Sequence, residues 1–174
     1  MNNAVKFESG KLILSDAKYN LAWLKTAKAA LNRADNGTMG IVVAGTLVTA
    51  DGEIQTEASA SDLAETGAVH AGVTGKVDTN DVIIGSSGLE NLGVKDLALG
   101  GSAADTSKVT VGNSKELTLV GSGSENDALV KTSDGTAKTN VAVTVGDSAN
   151  AGTLNLGVAG MTSGGNLNAA VAIA

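Results

Sequence analysis

The sequence predicts a mainly β protein: short strands stacked as in a β-solenoid, with one N-terminal amphipathic helix. Three observations predict it. Short stretches alternating apolar and polar residues, each closed by Gly, Asn, Asp or Ser, recur through residues 38–174. Such alternation is the period of a half-buried strand. A strand, Gly turn, strand unit recurs along the chain. Finally, residues 24–174 contain no Phe, Tyr or Trp; the three aromatics are Phe7, Tyr19 and Trp23. The facing sheets of a sandwich stand about 10 Å apart and usually need large rings between them. A stack of coils has a narrower interior, which rows of Val, Leu, Ile and Ala can fill. A β-sandwich or jelly roll stays the alternative, because both architectures show regularly spaced short strands.

The chain divides into two unlike segments. Residues 1–37 hold six of the 12 basic residues and three of the 18 acids, a local balance of +3. Residues 38–174 then carry 6 − 15 = −9 and 21 of the 23 glycines. The first segment is a basic head and the second a Gly/Ala/Thr-rich acidic β region.

Within the head, Lys11-Leu12-Ile13-Leu14 has the look of a short strand. A helix is expected over residues 16–34. Ser15 or Asp16 can cap its start with a side-chain oxygen. Ala17, Leu21, Leu24, Leu31 and Ala34 recur at helical spacing, and Gly37 supplies a stop. This helix is expected either to cover the β region as a lid or to dock on a partner through Tyr19, Trp23, Lys25 and Lys28. Trp23 lies about a quarter turn from the leucine stripe, since each residue rotates about 100°.

In the acidic region, strand-like stretches are expected at Ile41–Val43, Thr46–Val48, Val82–Gly85, Leu97–Gly100, Val109–Gly112, Leu117–Val120, Val141–Gly146, Leu154–Gly157 and 169–174, with a turn of helix at Ser59–Glu65. The repeat is explicit. VTVGNSKELTLVG (109–121) and VTVGDSANAGTLNLG (143–157) start 34 residues apart, and their Leu-x-Leu blocks start 37 apart. A weaker copy, VIIGSSGLENLGVKDLALGG, covers 82–101. Such a unit cannot bury its apolar side alone, and stacking gives it a continuous core. The run Ala169-Ala170-Val171-Ala172-Ile173-Ala174 carries no polar residue. Its strand is expected either to tuck into its own sheet or to pair with another subunit through Val171 and Ile173, because an unguarded strand edge invites pairing.

SKELTLVGSGSENDALV (114–130) and VTVGDSANAGTLNLG (143–157) resemble the passenger repeats of autotransporter adhesins and other bacterial surface proteins. The resemblance covers roughly residues 80–174. It implies a right-handed β-solenoid used as a stalk or adhesive surface. Phage fibre and capsid-decorating proteins have a similar composition, so a virion component is the alternative to a cell-surface one.

Composition excludes other functions. With no Cys there is neither disulfide nor thiolate-bound metal, and the single histidine, His70, forbids a two-His site within one chain. The net charge of −6 argues against nucleic acid. No run of 18 apolar residues spans a membrane as a helix. The first 15 residues lack the apolar core of a signal peptide, which leaves a cytoplasmic protein, a leaderless export route or an excised piece.

Chemistry-bearing motifs are sparse. His70 sits in AVHAGV without a G-x-S-x-G partner motif and reads as a core residue. Asp51, Glu53, Glu57, Asp62 and Glu65 are loosely spaced and read as a solvated loop. Asp78, Asn80 and Asp81, or Glu125 and Asp127, offer oxygens of the kind calcium takes, but neither group fits a calcium-loop spacing. Asn36-Gly37-Thr38 is a glycosylation sequon on paper. No enzyme and no cofactor are expected. The expected function is structural: a protein of an extracellular surface or fibre that assembles with itself or within a larger parent assembly. An adhesin fragment binding glycan or host protein is the other reading.

Overall fold

The computed structural model describes residues 5–8, 11–19, 40–48, 54–64, 68–85, 89–122, 127–156 and 169–173, and side chains within 56–64, 69–85, 89–122 and 127–156. The chain is mainly β and its sheets are largely parallel. The strands are β1 (Val5–Glu8), β2 (Lys11–Tyr19), β3 (Gly40–Val48), β4 (Ile54–Gln55), β5 (Glu57–Ser59), β6 (Ala68–Val77), β7 (Val82–Ile84), β8 (Leu92–Leu99), β9 (Thr106–Val111), β10 (Glu116–Leu119), β11 (Val130–Thr132), β12 (Asn140–Val145), β13 (Thr153–Leu156) and β14 (Ala169–Ile173). One short helix, α1 (Ala60–Leu63), follows β5 and buries Ala60 and Leu63. It falls on the turn of helix expected at Ser59–Glu65.

Two sheets organise these strands. The larger runs β1-β2-β3-β6-β8-β10-β13, with β4 on β3, β5 on β6 and β11 on β8; the smaller runs β14-β12-β9-β7. From β6 onward the chain passes back and forth between them, with β10 and β11 in succession on the large sheet. β6, β8, β10, β11 and β13 enter the large sheet, while β7, β9, β12 and β14 enter the small one. Each new strand of the small sheet lies parallel to the previous one. Parallel neighbours need a connection that returns to the starting end, and the opposite sheet supplies it.

The sequence repeat sets the register. Val109, Thr110 and Val111 pair with Val143, Thr144 and Val145, and with Val82, Ile83 and Ile84 on the other side. The Leu-x-Leu blocks do the same: Leu117 pairs with Leu154 and with Leu92. The repeat residues thus stand beside their own copies, and identical side chains form columns. Val82, Ile84, Val109, Val111, Val141, Val143 and Val145 point into one cluster with Leu92, Val94, Leu97, Leu99, Leu117 and Leu119. A fully buried aliphatic side chain stabilises by about 1.5–3 kcal/mol, and the columns repeat that gain at each level without an aromatic residue.

Among the strands whose side chains are described, β8 is the most enclosed. It sits between β6 on one side and β10 and β11 on the other, and its pattern alternates poorly because both faces are covered. Val94 pairs with His70 and Asp96 with Thr74, so four residue steps on β6 face two on β8. β6 is divided into two halves by this irregularity. Its first half pairs with β3 and its second half with β5.

One expectation fails at the start of the chain. Asp16–Tyr19, placed in a helix over residues 16–34 by their spacing, belong to β2 instead. Lys18 and Tyr19 pair with Thr46 and Leu47 of β3 after an irregularity between Ser15 and Lys18. Pairing with a neighbouring strand overrides local helical periodicity here, as tertiary context commonly does. The remainder of the expected helix, residues 20–34, lies outside the described residues. The expected strand Lys11–Leu14 forms the first part of β2 and pairs with Gly40–Val43.

Candidate functional site

Among the described residues, two corners where the chain passes between sheets concentrate polar side chains. The first joins three successive levels. Its elements are Asp78–Asp81 before β7, Gly100–Asp105 before β9, and Lys138–Thr139 before β12. Lys138 is 0% exposed, yet carries an ammonium. Its Nζ donates to Asn80 Oδ1 at 2.8 Å, to the Gly100 carbonyl at 2.7 Å and to the Ser102 carbonyl at 2.9 Å. Three donors meet three acceptors, which is how a buried charge becomes tolerable.

Asn80 is the hub on the other side. Its Oδ1 also accepts from Ser107 Oγ at 2.7 Å, and its Nδ2 donates to the Thr106 carbonyl at 2.9 Å. Asp81 Oδ1 accepts from the Lys108 backbone N–H at 2.9 Å. The Gly100 N–H donates to the Thr79 carbonyl at 3.0 Å, and a Cβ at Gly100 would run into the Asp78 carbonyl oxygen. The close approach therefore requires glycine. Asp105 Oδ2 accepts from the Ser102 N–H at 2.7 Å. Those bonds from Ser102 hold the Asp105 carboxyl below its ordinary value, and the Lys138 charge acts in the same direction. The oxygen cluster Asp78, Asn80 and Asp81 is thus a corner whose Asn80 and Asp81 oxygens face an ammonium, a hydroxyl and a backbone donor. Among the described residues, no group of three or more His, Cys, Asp or Glu is placed to hold a metal ion.

The second corner follows the small sheet. Gly146, with φ of 70°, turns the chain after β12, and Asp147 gathers the turn. Asp147 Oδ1 accepts from the N–H groups of Ala149 and Asn150, and Oδ2 from Asn113 Nδ2 at 2.7 Å. The Asn113 amide, then the two backbone donors, hold this carboxyl below its ordinary value. Lys115 bonds Glu90 one level down. Asn155 Nδ2 reaches Glu116 Oε1 at 2.6 Å and Thr118 Oγ1 at 3.1 Å.

The predicted interface residues fare unequally. Val171 and Ile173 lie in β14, paired with Val143 and Val145 of β12. β14 ends the small sheet, so among the described residues one of its edges carries no partner strand. Tyr19 closes β2, opposite Leu47. Trp23, Lys25 and Lys28 lie outside the described residues. The structure brings Val171 and Ile173 together on one strand and does not join them to Tyr19. His70 is 0% exposed, in register with Val43 and Val94. Of the loose acidic stretch, Glu57 and Asp62 are exposed. Glu57 lies 3.5 Å from Lys76.

Sequence reasoning missed Lys138 and Asp96. Asp96 is 0% exposed in the middle of β8 and lies 2.6 Å from Lys131 Nζ and 3.7 Å from Lys95 Nζ. A visible signal existed for Asp96: a Lys-Asp pair interrupting the apolar run Leu92–Leu99. Lys138 had none, since its acceptors lie 36 to 58 positions earlier.

No protein-family profile matches this chain, and neither curated proteins nor solved structures yield a match.

Proposed function

We propose that this is a non-enzymatic structural protein of an extracellular surface or fibre. In this reading the two alternating parallel stacks are the walls of a β-solenoid, and the protein associates with itself through strand edges. The observation that carries the reading is the register of the repeat: Val-Thr-Val blocks 34 residues apart sit side by side in one sheet, and Leu-x-Leu blocks 37 apart sit side by side in the other. Stacked identical rungs form an extended scaffold with little demand for a catalytic cleft. Edge pairing is supported by β14, whose sequence Ala-Ala-Val-Ala-Ile carries neither charge nor proline to discourage a neighbour.

Negative-stain microscopy combined with light scattering tests it. Elongated particles that associate with rising concentration are expected. A compact and strictly monomeric particle would count against both the solenoid and the assembly. A monomeric rod with a saturable glycan or host-protein ligand would move the reading to an adhesin fragment. Genes for capsid or tail proteins beside the reading frame would move it to a virion component.

A further inference from the structure

We infer that the Lys138 ammonium is the built-in cation of an oxygen-lined site, and that removing it leaves a binding site for a small monovalent cation of ammonium size. The inference is independent of the assembly reading.

The site is built by three levels of the stack. Asn80 supplies a side-chain amide oxygen, and Gly100 and Ser102 supply backbone carbonyls, all 2.7–2.9 Å from one nitrogen. None of the three is a carboxylate, so the atoms that touch the cation act as dipoles rather than as charges. The residues that carry these oxygens are anchored by bonds other than those to Lys138. Asn80 accepts from Ser107 and donates to the Thr106 carbonyl, the Gly100 N–H donates to the Thr79 carbonyl, and Ser102 donates its N–H to Asp105 and accepts the Asp105 N–H at its carbonyl. A cage held by its own hydrogen bonds persists when the ammonium leaves.

Charge and distance select the occupant. Calcium takes six to eight oxygens at about 2.3–2.6 Å, and magnesium demands an octahedron at about 2.0–2.1 Å. Three neutral oxygens at 2.7–2.9 Å match charged N–H···O bonds. Asp105, whose Oδ2 and Asn80 Oδ1 both lie 2.9 Å from where a Cβ on Gly101 would stand, adds a negative charge that acts on Lys138 without ligating it. The Lys138 stem runs through buried space, and replacing it by alanine vacates the volume of a propylammonium ion.

The test is chemical rescue of Lys138→Ala in the full chain. Thermal unfolding is followed by circular dichroism at constant ionic strength in ammonium, n-propylammonium, tetramethylammonium or calcium chloride. The variant is expected to melt about 5 °C or more below the parent protein. It is expected to recover several degrees in ammonium or n-propylammonium, relative to tetramethylammonium, with no such preference in the parent. Equal midpoints in all four salts, or best recovery in calcium, would overturn the inference. Should the variant not fold at all, refolding yield across the same salts is the readout. A yield that rises with n-propylammonium supports the site, and a flat yield overturns it. The parent protein gives a second check. The Lys138 ammonium protons should exchange with water far more slowly than those of exposed Lys108, and equal exchange would also overturn the inference.

Discussion

The Asp96 carboxylate lies 2.6 Å from Lys131 Nζ although Lys131 stands across from Ala98 rather than from Asp96. The lysine reaches diagonally back along β8 and covers a carboxylate that is 0% exposed. Removing one partner of a buried pair leaves the other charge uncompensated, which costs more than the pair contributes. Asp96→Ala is therefore expected to lower stability by about 3 kcal/mol. In urea unfolding, adding Lys131→Met to Asp96→Ala should recover part of that loss. Strictly additive losses in the double-mutant cycle would show that the two groups do not interact.

Ile83 and Ile84 are adjacent but face opposite ways. Ile84 is 0% exposed and Ile83 is 54% exposed. Ile84→Ala removes buried methylenes from a core that cannot collapse around them and should cost about 3 kcal/mol. Ile83→Ala should cost less than about 1 kcal/mol. Equal losses in denaturant titrations would contradict the alternation assigned to β7.

Asn80 ties its own level of the first corner to two others through Ser107 and Lys138. Asn80→Ala withdraws an acceptor from a buried ammonium and is expected to cost about 2 kcal/mol. Hydrogen exchange gives the location as well as the size. Protection should fall at the corner amides of Gly100 and Lys108, while the β10–β13 pairing keeps its protection. A uniform loss along the whole chain would mean that the corner is not a local unit.

Acid should weaken the fold through three turn carboxylates. Bonds from Ser102 lower the Asp105 value; Asp134 is lowered by the Thr132 hydroxyl and then by Thr136; Asp147 is lowered by Asn113 and the following backbone. Each group takes up a proton less readily folded than unfolded. The stability it contributes is present above its ordinary value of 3.8 and is lost as pH falls through the depressed folded value. The melting midpoint should begin to fall below about pH 4, modestly because all three groups are exposed to solvent. Replacing all three by Asn should flatten that fall, and an unchanged acid limb would remove these turns as its cause.

Much of the β region was legible because its signals are local. Val109-Thr110-Val111-Gly112 shows its strand, its inward face and its turn in four letters. Its copy at Val143–Gly146 predicts which strand stands beside it. The head was less legible. Ala17 and Leu21 have helical spacing, but Lys18 and Tyr19 take partners near position 46, and no local pattern announces a partner that distant. The polar corners were legible only in part, for the same reason. VDTNDV shows an unusual density of oxygens, while Lys138, the cation those corners hold, sits 58 positions from Asn80 in an unremarkable Ala-Lys-Thr.

The turn after β11 is closed from within. The Thr132 N–H donates to the Thr136 carbonyl at 2.8 Å, and the Gly135 N–H to the Thr132 carbonyl at 2.9 Å. Ser133, Asp134, Gly135 and Thr136 are all exposed, and a side chain added at Gly135 would meet no atom within 4 Å. Asp134 at the tip shares in this closure, its Oδ1 accepting from the Thr132 hydroxyl and from the Thr136 N–H at 3.1 Å. A foreign peptide spliced between Asp134 and Gly135 would disturb only these local turn bonds and be displayed outward, while the pairing of β11 with β8 is expected to remain, which makes this hairpin a grafting point for epitopes or tags.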